Sequence, residues 1–186
     1  MSHLSDDIVN TELPINGSIN ASSLGVLIVY DSVCSGKRAK YLCERIEFRL
    51  RPGNELNPSF WSLAALRVAS FAQAAANDAA HAALLIVAIN GDEVLSPPVK
   101  SSISRCARAT RTISGALVAQ LHGILRMNQE LSPAYQCLKQ IAHDAGVDFF
   151  SEVIEPSADE LDCSIKTIHE NARMNISMRD AILNQF

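Results

Sequence analysis

The residues best suited to chemistry follow the first apolar run of the chain. The stretch Leu24–Arg38 passes from that run into a short polar turn and then into the start of a predicted helix. A helix that begins here would direct backbone N–H groups and the positive end of its dipole towards an anion, and two basic side chains add charge. The turn therefore predicts an anion-binding site, with these candidate residues: Asp31, Ser32, Ser35, Gly36, Lys37 and Arg38.

Two further polar turns follow apolar runs later in the chain. Ligands of open parallel sheets bind beyond the carboxyl ends of the strands, where the strand order reverses. We therefore expect the residues of these turns to line the same pocket, and the histidine among them is a candidate general acid or base. These residues are Asn90, Gly91, Asp92 and His122.

The first turn matches a phosphate-binding P-loop only in part. Gly36 and Lys37 match the second glycine and the lysine of the pattern G-x-x-x-x-G-K-[ST]. Asp31 replaces the first glycine and Arg38 replaces the hydroxyl residue that would bind Mg²⁺. Because a carboxylate repels a nucleotide phosphate, the sequence does not predict a nucleotide site of this type.

Asp31 admits other interpretations. In a receiver-like pocket, carboxylates after strand one bind Mg²⁺ beside a phosphorylated aspartate after strand three, but here strand three ends at Asn90. A phosphate-ester hydrolase would need a second acid two residues later, where Val33 stands. A purely structural role is the remaining alternative, in which Asp31 caps the turn or pairs with Lys37 or Arg38.

The alternation of strand and helix patterns along the chain determines where these turns lie in the predicted fold. Unbroken apolar runs are typical of central parallel strands, and a 3.6-residue period is typical of the helices between them. The pattern predicts a three-layer, doubly wound α/β fold with a five-stranded parallel sheet in the flavodoxin-like order 2-1-3-4-5. The predicted strands are Leu24–Tyr30, Asn57–Leu63, Ala83–Ile89, Gly115–Leu121 and Val147–Ile154, and the predicted helices are Ser35–Arg51, Ala64–Ala82, Pro97–Arg108 and Pro133–Ala145.

The domain boundaries follow from composition. Residues 1–23 form a polar leader, residues 24–154 the α/β domain, and residues 155–186 a C-terminal extension. A stripe of apolar residues in the extension predicts one or two short helices, which would lie back on the sheet or reach a second subunit. The stripe consists of Ile165, Ile168, Ala172, Ile176 and Ile182.

Composition narrows the class of protein. Hydrophobic residues make up 48% and charged residues 19%, which is typical of globular chains, and the net charge of −4 gives no attraction to nucleic acid or anionic membranes. The leader lacks the basic start and apolar centre of a signal peptide. The five cysteines are scattered without a C-x-x-C pair. We therefore expect a cytoplasmic protein with reduced thiols, no metal site and no nucleic-acid or membrane partner.

The segment around the third strand resembles NADPH-dependent flavin and quinone reductases. Residues 83–103 read Ala-Leu-Leu-Ile-Val-Ala-Ile-Asn-Gly-Asp-Glu-Val-Leu-Ser-Pro-Pro-Val-Lys-Ser-Ser-Ile, and follow the family's order of apolar strand, flavin loop, proline and helix start. The resemblance implies FMN as cofactor, with its phosphate on the backbone near Ser32–Gly36 and its isoalloxazine beside Asn90–Glu93. The chain departs from the family in two loops, because only Ser32 matches the phosphate loop and the aromatic residue that stacks on flavin is missing.

Two classes of function remain at this point. The first is the binding of a phosphorylated small molecule or flavin at the carboxyl edge of the sheet. The alternative is a non-catalytic protein-interaction module of the degenerate receiver or flavodoxin-like type, with the C-terminal extension holding a homo-oligomer together. No residue is assigned as catalytic, and the sequence leaves open whether the protein is an enzyme.

Overall fold

Five parallel strands form the centre of the fold. The structure is a computed structural model that describes residues 23–50, 55–110 and 115–155. The strands are β1 (Ser23–Tyr30), β2 (Glu55–Ser62), β3 (Ala82–Asn90), β4 (Ala116–His122) and β5 (Asp148–Ile154). They pair in the order β2-β1-β3-β4-β5, and every pair is parallel. The predicted flavodoxin-like strand order is thereby confirmed.

Helices cover the two faces of this sheet unequally. The α-helices are α1 (Val33–Glu47), α2 (Ala69–Ala79), α3 (Pro97–Thr110) and α4 (Pro133–Ala145), with 3₁₀ helices at Ala65–Arg67 and Arg126–Leu131. Helix α3 packs against both α2 and α4 on one face, and α1 packs on β1, β2 and β3 on the other. None of the helices in the described parts of the chain is long and apolar enough to cross a membrane.

The unbroken apolar runs are the strands buried on both faces. Leu27 and Val29 of β1 face the larger core under α2, α3 and α4, whereas Val26 and Ile28 face α1. Gly25 lies where β1 approaches the chain before β3, and a side chain there would collide with the backbone carbonyl of His81. Strand β1, which leads into the candidate turn, is therefore packed on both faces and paired with a strand at each edge.

Several predicted boundaries shift. Helix α1 begins at Val33, two residues before the predicted start, because Ser32 acts as its N-cap. The predicted helix Ala64–Ala82 divides into a 3₁₀ turn and α2, because Val68 between them is extended, with φ −96° and ψ 123°. Apart from Ser23 and Glu155, the predicted leader and C-terminal extension lie outside the described residues.

Candidate functional site

The Asp31 side chain connects the carboxyl ends of three strands. Its Oδ2 accepts the backbone N–H of Asn90 at 2.7 Å, and its Oδ1 accepts the Ser35 hydroxyl at 2.6 Å. His122 Nε2 lies 3.2 Å from Oδ2 and 3.3 Å from Oδ1. Three residues at the ends of β1, β3 and β4 and one residue from the first turn of α1 therefore form one polar group around a single carboxylate. We call Asp31, Ser35, Asn90 and His122 the Asp31 cluster.

The Asp31 carboxyl stays ionised in this cluster. Burial by itself would raise its pKa, but the hydrogen bonds with His122, Ser35 and the Asn90 amide outweigh burial and lower the pKa of Asp31 well below its usual range. A carboxylate stabilised in this way is a weak base. The cluster is accordingly better suited to holding the three strand ends together than to accepting a proton from a substrate.

A capping box closes the start of α1. Ser32 Oγ accepts the Ser35 backbone N–H at 3.2 Å, and Ser35 Oγ accepts the Ser32 backbone N–H at 3.0 Å, which is a capping box. The adjacent Asp31 carboxylate supplies a negative charge near the helix start. The residues near Ser32–Gly36 therefore do not fit the phosphate of FMN as the reductase resemblance implies.

The turn after β3 is bound to the neighbouring turns. Gly91 donates its N–H to the His122 carbonyl at 2.8 Å and accepts the Ser132 hydroxyl at 2.6 Å. Asn90 Oδ1 accepts the Asp92 N–H at 2.9 Å. Asp92 itself lines a separate cavity of about 320 Å³. Of the four candidates in the later turns, Asn90 and His122 thus reach Asp31 directly.

A second feature lies on the other side of the α1 start. A cavity of about 210 Å³ opens between α1 and β2, and we call it the α1–β2 cleft. The rings of Tyr30 and Phe60 form an aromatic wall, edge to face, with centroids 6.5 Å apart. Gly36 allows the close approach, since a Cβ there would lie 3.3 Å from the Tyr30 ring. The cleft is lined by Tyr30, Val33, Gly36, Lys37, Lys40 and Phe60.

The charge of the cleft is positive. Lys37 and Lys40 are three residues apart on α1, so that their side chains share one side of the helix. Lys40 makes an exposed ion pair with Glu44, with 3.7 Å between Nζ and Oε1. The Asp31 carboxylate is directed to β3 and β4 and does not line the cleft. Arg38 is half-buried and does not line it either.

The structure therefore divides the predicted site in two. Asp31, Ser35, Asn90 and His122 meet in the cluster, while Gly36 and Lys37 border the cleft. Sequence reasoning missed the remaining wall of the cleft, which depends on the register that places Phe60 beside Ile28 of β1. The signal in the sequence was the aromatic residue in a predicted edge strand, next to a basic helix face. The missed residues are Tyr30, Val33, Lys40 and Phe60.

The contacts limit the chemistry that the cluster can perform. The Ser35 hydroxyl donates to Asp31 and not to His122, so the three side chains do not form the nucleophile–base–acid order of a hydrolytic triad. Among the described residues there is no group of three or more His, Cys, Asp or Glu side chains that could hold a metal ion.

Comparison with known proteins adds no relative. A scan against models of protein families found no match, and a search of curated proteins found no similar sequence.

Proposed function

We propose that the protein binds a small aromatic anion, with a phosphate monoester on one ring as the best-fitting ligand, in the α1–β2 cleft. The observation that carries this proposal is the pairing of an aromatic wall, Tyr30 and Phe60, with two ammonium groups, Lys37 and Lys40, around one cavity. The location next to the end of β1 agrees with the rule that open parallel sheets bind ligands at the carboxyl edge.

Each interaction in the cleft contributes a small amount to the free energy of binding. An aromatic ring placed against Tyr30 or Phe60 gains about 0.5–1.5 kcal/mol beyond the burial of its area. Lys37 and Lys40 attract the anion by their positive charge. The cavity of about 210 Å³ is smaller than the roughly 300–1,000 Å³ of typical ligand pockets, which favours one ring over a fused three-ring system.

The reductase resemblance also implies flavin reduction. The contacts near Ser32–Gly36 argue against this activity. FMN would need the Ser32–Gly36 backbone for its phosphate, where the capping box and the Asp31 carboxylate already lie. The cytoplasmic location predicted from the sequence stays part of the proposal. Four cysteines in the described ranges are free thiols: Cys34, Cys43, Cys106 and Cys137.

Calorimetric titration with phenyl phosphate tests the proposal. We expect saturable binding to the full chain, weakened up to about fivefold by Lys37→Gln or Lys40→Gln, because an exposed charge pair contributes about 0.2–1 kcal/mol. Phe60→Ala should weaken binding further by removing one wall of the cleft. Lys100→Gln is the matched control, since Lys100 is an exposed lysine on α3 that does not line the cleft.

Inorganic phosphate and FMN serve as comparison ligands. The proposal predicts weaker binding of inorganic phosphate, which lacks the ring, and of FMN, whose ring system is too large for the cleft. Equal affinity for phosphate with and without the ring would refute the aromatic part of the proposal. Tight FMN binding that survives Phe60→Ala would instead support a flavin site at the Asp31 cluster.

A second candidate, a protein-interaction module, rests on exposed apolar side chains at the same edge of the sheet. Val94 is 72% exposed after β3, and Met127 and Leu131 are 84% and 82% exposed after β4. If this edge joins copies of the chain, light scattering will give a mass above the 20.2 kDa monomer. Met127→Glu with Leu131→Glu will then restore the monomer mass. A monomer in the unchanged protein would rule out self-association through this edge.

A further inference from the structure

One half of the sheet is left uncovered by the described helices. Neighbouring strands lie about 4.8 Å apart and a helix is about 10 Å across, so one helix covers roughly two strands. On the face opposite α2, α3 and α4, helix α1 packs on β1, β2 and β3. The side chains of β4 and β5 on that face, Val118 and Phe150, are cross-strand partners. Val118 is half-buried and Phe150 is 57% exposed. We call this surface of β4 and β5 the open half.

The open half also contains an unsatisfied polar atom. Gln120 lies two residues after Val118, on the same face of β4, and is only 3% exposed. Its Nε2 donates to Glu152 Oε2 at 2.9 Å, and Arg45 of α1 donates to Glu152 Oε1 at 2.9 Å. Gln120 Oε1 has no hydrogen-bond partner among the described residues. A buried acceptor without a donor costs about 1–3 kcal/mol.

The chain itself supplies an occupant of suitable length and position. β5 is the edge strand of the open half and ends at Ile154, directly before residues 156–186. A helix needs about 15 residues to run back along a seven-residue strand of about 23 Å, and 31 residues provide that length and a connecting turn. The segment also carries apolar residues at helical spacing, namely Ile165, Ile168, Ala172 and Ile176.

We propose that residues 156–186 cover the open half in the same molecule, with the apolar stripe of Ile165, Ile168, Ala172 and Ile176 against Val118 and Phe150. The segment then functions as the missing layer of the sheet and is not available to join two subunits. This assignment is independent of the proposed ligand in the α1–β2 cleft, which lies at the opposite edge of the same face.

Cysteine labelling in the full chain tests the assignment. A Phe150→Cys variant is pulsed with iodoacetamide, and the labelled peptides are measured by mass spectrometry. Met127→Cys is the exposed control, labelled at a concentration at which light scattering gives the monomer mass. The native thiols are resolved as separate peptides, and burial raises the pKa of Cys43 and Cys106 to about 11, so that they react slowly. We expect the thiol at position 150 to react at least about tenfold more slowly than the thiol at position 127.

Charged substitutions in the segment identify the occupant. Adding Ile168→Glu and Ile176→Glu to the Phe150→Cys chain should expose position 150 and restore fast labelling. Thr167→Glu and Met174→Glu lie on the opposite side of the predicted helix and should leave the protection unchanged. Hydrogen exchange of the β4 and β5 amides in chains that retain Phe150 provides a second measurement, with faster exchange expected only for the Ile168→Glu, Ile176→Glu chain.

Three results would overturn the assignment. Equal labelling at positions 150 and 127 would show that the open half is exposed in solution. Protection that weakens on dilution would assign the covering layer to a second copy of the chain. Protection that persists with Ile168→Glu and Ile176→Glu would show that this stripe is not the contact.

Discussion

Asp31 is the residue on which the carboxyl edge of the sheet depends. Its carboxylate accepts hydrogen bonds from the end of β3 and the start of α1, and it contacts His122 at the end of β4. Hydrogen bonds to a charged group contribute about 1.5–3 kcal/mol each, whereas a surface ion pair contributes far less. Among the interpretations that the sequence leaves open, these contacts favour a structural role, but with partners other than Lys37 and Arg38.

Replacing the carboxylate tests this role. Asp31→Asn removes the charge and exchanges one acceptor for a donor that faces the Asn90 amide or the Ser35 hydroxyl. We expect the free energy of unfolding to fall by about 2 kcal/mol, measured by urea denaturation. Asp144→Asn is the control, because Asp144 is exposed on α4 and its loss should change stability by less than about 0.5 kcal/mol. Equal effects of the two substitutions would contradict the structural role.

The lowered pKa of Asp31 also predicts a pH dependence. A group whose pKa is lower in the folded protein than in the unfolded chain adds stability above its unfolded value, here near 3.8, and this stability is lost as pH falls towards the folded value. The stability difference between the unchanged protein and Asp31→Asn should therefore narrow progressively below about pH 4. Urea titrations at several pH values measure it. A difference that stays constant down to pH 2 would show that the carboxylate is not stabilised by folding.

At the scale of elements, local signals determined how well the helices were predicted. Helix α4 begins and ends where the sequence predicts, because Ser132 is its N-cap, Pro133 occupies the first position and Gly146 adopts φ 69° after the last turn. The start of α1 was missed by two residues because Ser32 and Ser35 both suit an N-cap. The division before α2 falls at Val68, which is extended and has a β-branched side chain that favours this conformation over the helical one.

Ser132 also links α4 to the turn after β3. Its hydroxyl donates to the Gly91 carbonyl at 2.6 Å and accepts the Tyr135 N–H at 3.1 Å in a buried position. Ser132→Ala should therefore cost about 2–3 kcal/mol in thermal or urea unfolding, of which about 1 kcal/mol is the lost cap. Ser101→Ala, at an exposed position of α3, should cost little. A loss below 1 kcal/mol for Ser132→Ala would mean that the bond to Gly91 contributes nothing.

At the scale of the whole molecule, the strand order was predictable and the ligand site was not. Unbroken apolar runs such as Val26–Val29 report burial on both faces directly, and alternation with helices leaves few allowed topologies. The α1–β2 cleft depends on the register between β1 and β2 and on a glycine that admits the Tyr30 ring. Neither the register of the two strands nor the close approach of the ring can be predicted from a local sequence pattern. The sequence predicted that three turns meet at the Asp31 cluster. Which side chains contact the Asp31 carboxylate depends on the tertiary structure and could not be predicted.

The whole molecule also offers a competing cavity. A larger cavity of about 510 Å³ lies between α4 and β5, and polar and basic side chains form much of its wall, including Gln136, Lys139 and His143. It lacks the aromatic pair of the α1–β2 cleft and lies on the side of α4. A test of the proposed function must therefore report where a ligand binds, in addition to whether it binds.

Amide chemical-shift mapping with phenyl phosphate makes that measurement. In ¹H–¹⁵N spectra of the full chain, we predict saturable shifts at Val33, Gly36 and Lys37 and on β2 around Phe60, and these shifts should be lost in the Lys37→Gln, Lys40→Gln double variant. The amides of α4 around Lys139 should not move. Absence of saturable shifts at the cleft, or shifts confined to the cavity at α4, would contradict the proposal that the protein binds a small aromatic anion between α1 and β2.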